Sequence, residues 1–248
     1  MTHTAPVTRS NAARRGSRGS RARTALAALA LLAALAPAAL AAPAAGTHEQ
    51  ALIKLSGQYS VLLTRHRPDL AERYQLLLPR VPFVALDAAS LPAHERTLRA
   101  MLDQAQALPA SPAADSLRAR LTAELADCAP GGALRTDALL WLDIVAAAAR
   151  VPLTAGKLSA CTRSHHAAQQ LVRLPEALRG AAVLTSGHAP DPVAFESRIS
   201  AVEHLLRREL PERTGACMET RRRAEFVEAD SLAAASLAKF RRWVLPRH

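Results

Sequence analysis

Histidines that stand beside acids are the first residues whose spacing could do chemistry. A helical zinc peptidase carries two histidines four residues apart on one helix face, with a glutamate beside the first as general base. His48-Glu49 and His94-Glu95 begin this pattern, but Leu52 and Leu98 stand where the second histidine is needed. Neither place therefore predicts a zinc site.

A second set of metal-ligand types lies later in the chain. Cys161 and His165 are four residues apart, so they share a helix face, and His166 is adjacent. Two ligands do not complete a zinc site, which needs at least three from the protein. We therefore expect an ordinary helix surface there, and we assign no metal and no cofactor to any residue.

Nucleophilic catalysis has little support in the sequence. Ser186-Gly187-His188 is a polar loop, and loops carry many functional residues. The same tripeptide is typical of a turn that ends a helix, which is the reading we favour. No Gly-x-Ser-x-Gly turn and no glycine-rich phosphate loop is present. The sequence thus assigns no catalytic residue, and we do not expect an enzyme.

Three cysteines, Cys128, Cys161 and Cys217, bear on the compartment of the protein. In an oxidising compartment two of them can pair and leave one over. The sequence does not choose among the three pairings, and three buried reduced thiols fit it equally well.

The N-terminus has the three parts of a secretory signal peptide in order. Six arginines and no acid precede an apolar run of 13 residues from Thr24 to Ala36, and Ala39-Leu40-Ala41 fits the cleavage pattern. The run is short for a membrane anchor, which needs ~20 residues. We predict a signal peptide over 1–41, a loose tail over 42–46, and a periplasmic or secreted protein without a membrane span after cleavage.

Removal of the signal peptide changes the charge argument. The whole chain carries a net charge of +11, but after residue 41 there are 26 basic and 21 acidic residues, a net charge of +5. A mildly basic chain with few aromatic residues is not typical of a nucleic-acid-binding protein. We expect no nucleic-acid partner.

The elements that must position these residues are helices. Ser111-Pro112 and Asp191-Pro192 place a capping side chain before a proline of the first turn, as Ser90 does before Leu91-Pro92. Leu117, Leu121 and Leu125 form one buried stripe. We predict an all-α bundle of about eight helices over 47–248, which occupy more than ~60% of the mature chain without a sheet. The predicted helices span roughly 48–65, 91–107, 113–127, 135–149, 157–173, 175–184, 193–210 and 218–244.

The order of these features resembles one family. YSVLLTRHRPDLAERY (residues 59–74) is followed by SLRARLTAELAD, with its Leu-x-x-x-Leu-x-x-x-Leu spine, and later by VRLPEALRGAAVLTSGHAPDPVAFESRISAVEHLLRRELP. Together with a final helix that carries Phe240 and Trp243, this resembles the N-terminal half of the bacterial proteins called domain of unknown function 885. The resemblance implies a helical, exported protein similar to zinc-dependent peptidases. The metal motif of that family lies in its C-terminal half, which has no counterpart up to His248, so no catalytic residue carries over.

These observations lead to two hypotheses for function. The first is a non-catalytic binding or scaffold half-domain, with a surface at Phe240, Trp243 and Leu245 for a second copy or another protein. The second is a truncated or split zinc-peptidase-like enzyme whose catalytic half is on another chain. In the second case a reading frame just downstream would encode a His-Glu motif.

Overall fold

The computed structural model describes residues 45–154, 158–214 and 216–245. Helices occupy 77% of these residues, and no strand occurs among them, which confirms the predicted all-α fold. The predicted signal peptide lies outside the described residues. The predicted tail is wrong at its end, because Ala45 and Gly46 already belong to the first helix. No described helix is long and apolar enough to cross a bilayer.

In the part of the chain that the structure describes, eight helices longer than ten residues form the bundle, with three short ones between them. In chain order these are α1 (Ala45–His66), α2 (Pro68–Arg73), α3 (Leu91–Gln106), α4 (Pro112–Cys128), α5 (Ala133–Thr136), α6 (Ala138–Arg150), α7 (Ala160–Leu171), α8 (Leu174–Leu184), α9 (Pro192–His204), α10 (Leu210–Thr214) and α11 (Thr220–Val244). A 3-10 turn at Val151–Leu153 follows α6, and a π-helical segment at Leu205–Glu209 joins α9 to α10.

Capping side chains fix several helix starts. Ser111 accepts a hydrogen bond from the Ala114 amide, and Asp191 accepts one from the Ala194 amide at 2.7 Å, so both predicted caps are confirmed. Ser90 is different. Its hydroxyl lies 2.6 Å from the Asp87 carboxylate and does not cap α3.

Helix α6 lies in the middle of the bundle because it is apolar on nearly every side. It packs against α2, α7, α8 and α9. The indole nitrogen of Trp141, which is fully buried, donates to the Leu134 carbonyl at 3.0 Å. Asp137 caps the start of α6, because its carboxylate accepts hydrogen bonds from the Leu139 and Leu140 amides. The same residue separates α5 from α6. The single helix predicted over 135–149 is therefore broken at this residue.

The segment between α2 and α3 crosses the bundle without regular structure. Gln75, with a φ of 58°, ends α2 in the left-handed region, and a chain of extended residues follows. The buried side chain of Gln170 in α7 holds this segment twice. It accepts from the Phe83 amide at 2.7 Å and donates to the Val81 carbonyl at 3.1 Å.

Helix α11 runs alongside α7 and α8 in the same direction. A disulfide joins Cys161 at the start of α7 to Cys217 just before α11. Further along, His165 lies 3.8 Å from Glu225, and the end of α8 reaches Trp243. One face of α11, which we call its seam, is buried and carries Phe226, Ala229, Ala233, Leu237 and Phe240. Phe240 packs against Phe195 of α9 at 5.8 Å between ring centroids.

Candidate functional site

A buried acid–base pair lies between α3 and α4. His94 Nε2 and Glu124 Oε1 are 3.0 Å apart, and both side chains are almost completely inaccessible to solvent. A histidine bound to a carboxylate is the arrangement that orients a general base. His94 therefore does not pair with its neighbour Glu95, which forms an exposed ion pair with Arg99 at 2.6 Å.

Two further side chains of α1 surround this pair. The rings of His66 and His94 meet edge to face, with 5.0 Å between centroids, and His66 Nδ1 lies 2.9 Å from the Val84 carbonyl. Burial, and then the charge of His94, lower the pKa of His66 to about 4. Burial and the nearby Glu124 carboxylate raise the pKa of Tyr59 far above its usual value. His66 and Tyr59 are therefore neutral in the folded protein near pH 7.

An arginine joins the same region to α2. Arg67 is 1% exposed, and its guanidinium contacts Asp69 at 3.0 Å and Asp127 at 2.9 Å. Asp69 and nearby carboxylates raise the pKa of Arg67 against the opposing effect of its burial, so the group stays charged. This network fixes α2 to the end of α4.

The geometry of these polar groups indicates a structural role. Tyr59 Oη, His94 Nδ1 and Glu124 Oε2 are buried without a hydrogen-bond partner among the described residues. No open hollow reaches the pair, since the side chains of His94 and Glu124 are 1% and 0% exposed. A general base must come within hydrogen-bond distance of a substrate proton. In this conformation His94 does not meet that requirement.

The other residues that the sequence offers as metal ligands do not form a ligand set in the structure either. Cys161 is in the disulfide, so its sulfur is not a thiolate ligand for a metal beside His165. His48 and Glu49 lie at the exposed start of α1, beside a small hollow with Leu108 and Pro109. Within the described residues, no group of three or more histidine, cysteine or acidic side chains is placed to hold a metal ion.

The Ser186-Gly187-His188 loop ends α8 as a turn and also borders a surface hollow. Gly187 has a φ of 90°, which favours glycine. The hollow, of about 370 Å³, lies between this loop and the end of α11, where Trp243 and Val244 form its other side. Ser186 and His188 are exposed there.

A second hollow lies between α7 and α11. The two hollows lie at different places along α11, and we refer to them together as the α11 groove. The volume of the second hollow is about 300 Å³, and its walls include Val172 of α7 and Leu232 of α11. Both side chains are half exposed, at 50% and 51%. Glu225 and Glu228 lie at one end of this hollow, so its apolar floor has an acidic border.

The predicted partner surface needs a correction. Phe240 is fully buried because it faces the core on the seam of α11, and it is not available to a partner. Leu245 is partly buried. Trp243 is 52% exposed, three residues along the helix and turned away from that seam. Of the three residues, Trp243 carries most of the accessible apolar surface.

No metal or catalytic motif in the sequence points to Glu124, His66, Tyr59 or Arg67. A weaker signal exists for Glu124, which lies on the same helix face as Leu117, Leu121 and Cys128, all of them buried. A charged residue on a buried stripe requires a partner. The partner, His94, is 30 residues away, and nothing in the local spacing identifies it.

Comparisons with known proteins identify no relative of this chain. No protein-family model matches the chain, and no curated protein or solved structure is significantly similar to it.

Proposed function

We propose that this protein is exported to the periplasm or beyond and acts there as a non-catalytic binding or scaffold protein. The main support is a contrast between the polar side chains that are paired inside the fold and the apolar side chains that are exposed on α11. Two of the candidate arrangements are committed to the fold, because His94 is paired with Glu124 in the core and Cys161 is held in a disulfide with Cys217. The α11 groove is accessible and presents half-exposed Leu232 and Trp243 along one helix.

The chemistry of the groove supports binding of a protein. An exposed tryptophan beside arginine side chains is typical of the anchor positions of protein interfaces. The helix that presents them is held firmly. Arg241 contacts Glu196 of α9 at 2.7 Å, and the disulfide fixes the chain just before α11. A rigid helix face loses little conformational entropy when a partner binds.

We also propose the relationship to the N-terminal half of domain of unknown function 885. Its support is the order of helical segments between Gln58 and Val244. A structure of the N-terminal half of a family member tests it. Superposition of the eight long helices in the same order would support the relationship, and a different helix order would contradict it.

Site-specific photocrosslinking in the exported protein tests the binding function. A photoreactive amino acid at position 243 should give a discrete crosslinked species, whereas the same group at exposed position 223, elsewhere on α11, should not. Mass spectrometry of the tryptic products identifies the species. Equal crosslinking at both positions, or none at position 243, would contradict a binding role for the groove.

A separate measurement tests export. The mass of the protein purified from the periplasm or medium should correspond to cleavage after Ala41. Full-length protein that remains in the cytoplasm would contradict it.

A further inference from the structure

Beyond its first turn, which carries Arg221 in an ion pair with Glu225, α11 has charge segregated along one exposed face. Glu225 and Glu228 lie in its N-terminal half, Lys239 and Arg242 in its C-terminal half, and Leu232 between them. Ala235 completes the set, and the alternating spacing of three and four residues places all six on one side of the helix. We call this face the α11 strip. It borders the α11 groove, and five of its six residues are exposed, whereas Glu225 is half-buried.

We propose that the α11 strip binds the same strip of a second copy of the chain, with the two α11 helices antiparallel about a two-fold axis. The proposal rests on the binding function proposed above and names the partner. An isologous interface of this kind must be complementary to itself. A helix that is acidic at one end, apolar in the middle and basic at the other meets this condition only when the two copies run in opposite directions.

One alignment of the two antiparallel helices gives every residue of the strip a complementary residue on the second copy. With the two-fold axis between residues 233 and 234, Glu228 faces Lys239 of the second copy and Glu225 faces its Arg242. Leu232 then packs on Ala235 of the second copy, whose small side chain leaves room for the leucine. A parallel arrangement would place acid against acid and base against base, which is unfavourable.

The internal contacts of the chain account for Glu225, which pairs with Arg221, but not for the other three charges of the strip. Among the described residues, Glu228, Lys239 and Arg242 form no ion pair, whereas Arg241 is held by Glu196 and Arg221 by Glu225. The helix dipole favours acids in the first turn and bases in the last, and the effect fades beyond those turns. Glu228 is more than two turns from the start of α11 at Thr220. Its position is therefore not explained by the dipole.

Trp243 has a place in the same register. It lies opposite Ala224 of the second copy, an exposed alanine against which an indole ring can lie flat. The two-fold axis repeats this contact at the other end of the interface. The strip would thus have polar pairs and an apolar centre between two tryptophan contacts, and the half-exposed Trp243 would become covered.

The size of the strip sets the expected affinity. A helix of 25 residues is ~37 Å long and presents a face ~10 Å wide. Such a face buries a few hundred Å² on each copy, below the ~800 Å² per partner of a stable interface. We therefore expect a reversible dimer that weakens as salt is added.

Sedimentation velocity of the mature protein between ~10 μM and ~1 mM tests the proposal, because this range covers weak self-association. The wild type should shift from monomer to dimer with concentration. Glu228→Lys and Lys239→Glu should each weaken association about tenfold or more, since each brings like charges together twice. The double variant Glu228→Lys/Lys239→Glu restores both pairs and should associate like the wild type.

Arg223→Glu is the matched control, because Arg223 is exposed on α11 but lies away from the strip. It should leave association unchanged. All three substituted positions are exposed, and circular dichroism checks that each of the four variants is folded. A wild type that stays monomeric at every concentration, or a double variant no better than the single ones, would overturn the proposal. Crosslinking from position 243 to a different protein, with a monomeric wild type, would overturn it and leave the binding function standing.

Discussion

At the scale of single residues, the stability of the polar core depends on the hydrogen-bonded pair of His94 and Glu124. Both side chains are buried, with His94 Nε2 3.0 Å from Glu124 Oε1, and the other polar atom of each has no partner in the part of the chain that the structure describes. Removal of one partner from such a pair leaves a buried polar or charged group uncompensated. The pair is therefore expected to be strongly coupled in its effect on stability.

A double-mutant cycle measures this coupling. His94→Leu and Glu124→Leu should each lower the free energy of unfolding by about 3–5 kcal/mol, because each strands its partner. The double variant should be more stable than the sum of the two effects by at least ~2 kcal/mol. Urea unfolding of the four proteins gives the values.

The exposed pair Glu95–Arg99 on the same helix is the control for this cycle. Its coupling energy should be below about 0.5 kcal/mol, because water screens an exposed pair. Equal coupling in the two cycles would contradict the structural role of the buried pair.

His66 gives a prediction about acid stability. Its pKa is about 4 in the folded protein, against 6.5 as its ordinary value, because burial and His94 disfavour the charged form. The unfolded chain then binds the proton more tightly, so stability should fall as the pH drops from about 6.5 to about 4. The loss from this residue should be at most about 3 kcal/mol.

The variant His66→Asn isolates this effect. An asparagine amide can still donate to the Val84 carbonyl but does not titrate. Stability measured by urea unfolding at several pH values should fall less steeply for His66→Asn than for the wild type. Curves that run parallel from pH 7 to pH 4 would show that His66 is not the group responsible.

At the scale of helices and turns, the two adjacent glycines after α4 give a matched pair. A Cβ on Gly132 would overlap the backbone carbonyls of Ala126 and Asp127, whereas a Cβ on Gly131 would have open space. Gly132→Ala should lower the free energy of unfolding by about 1–3 kcal/mol through this overlap.

Gly131→Ala should be neutral or slightly stabilising, because alanine restricts the unfolded chain at a position where it fits. Thermal unfolding of both variants decides the matter. Equal effects from the two substitutions would show that the overlap at Gly132 is relieved by movement of the end of α4.

How far the sequence predicts the fold differs between elements. The long helices follow from apolar stripes and caps, as in α11 and at Asp191, because both signals are local. Helix α2 was missed, since its six residues are too few to show a periodic pattern. The π-helical turn after α9 was also missed. It appears in the contact of His204 with Glu209, five residues on at 3.3 Å, which no spacing rule predicts.

The candidate site was less predictable than the fold, and the reason is distance along the chain. The spacing beside His94 pointed to Glu95, but burial selects Glu124 on another helix. The predicted surface included Phe240 because the sequence around it is apolar throughout. Only the packing of α11 shows that Phe240 faces Phe195 while Trp243 does not.

At the scale of the whole molecule, the disulfide should contribute much of the stability. It closes a segment of 56 residues between Cys161 and Cys217. Its loss in Cys161→Ser/Cys217→Ser should lower the free energy of unfolding by about 2–4 kcal/mol, since the unfolded chain gains freedom. Urea unfolding of the double variant and of the reduced wild type should agree.

Alkylation before and after denaturation provides the control. The native oxidised protein should react little, and the denatured oxidised protein should take up one label, at Cys128, which is buried in the fold. Three labels on the denatured, unreduced protein would show that the disulfide does not form.

The burial of Cys128 has a consequence for the order of events during export. On the proposed route the chain emerges from its N-terminus, so Cys128 and Cys161 reach the oxidising side before Cys217 does. Oxidation in order of emergence would join the wrong two cysteines. Burial, followed by the charge of Glu124, raises the pKa of the Cys128 thiol to about 12, so its reactive thiolate is scarce once α4 has packed. Early packing of α1, α3 and α4 would thus protect the later bond between Cys161 and Cys217 from a mispaired intermediate.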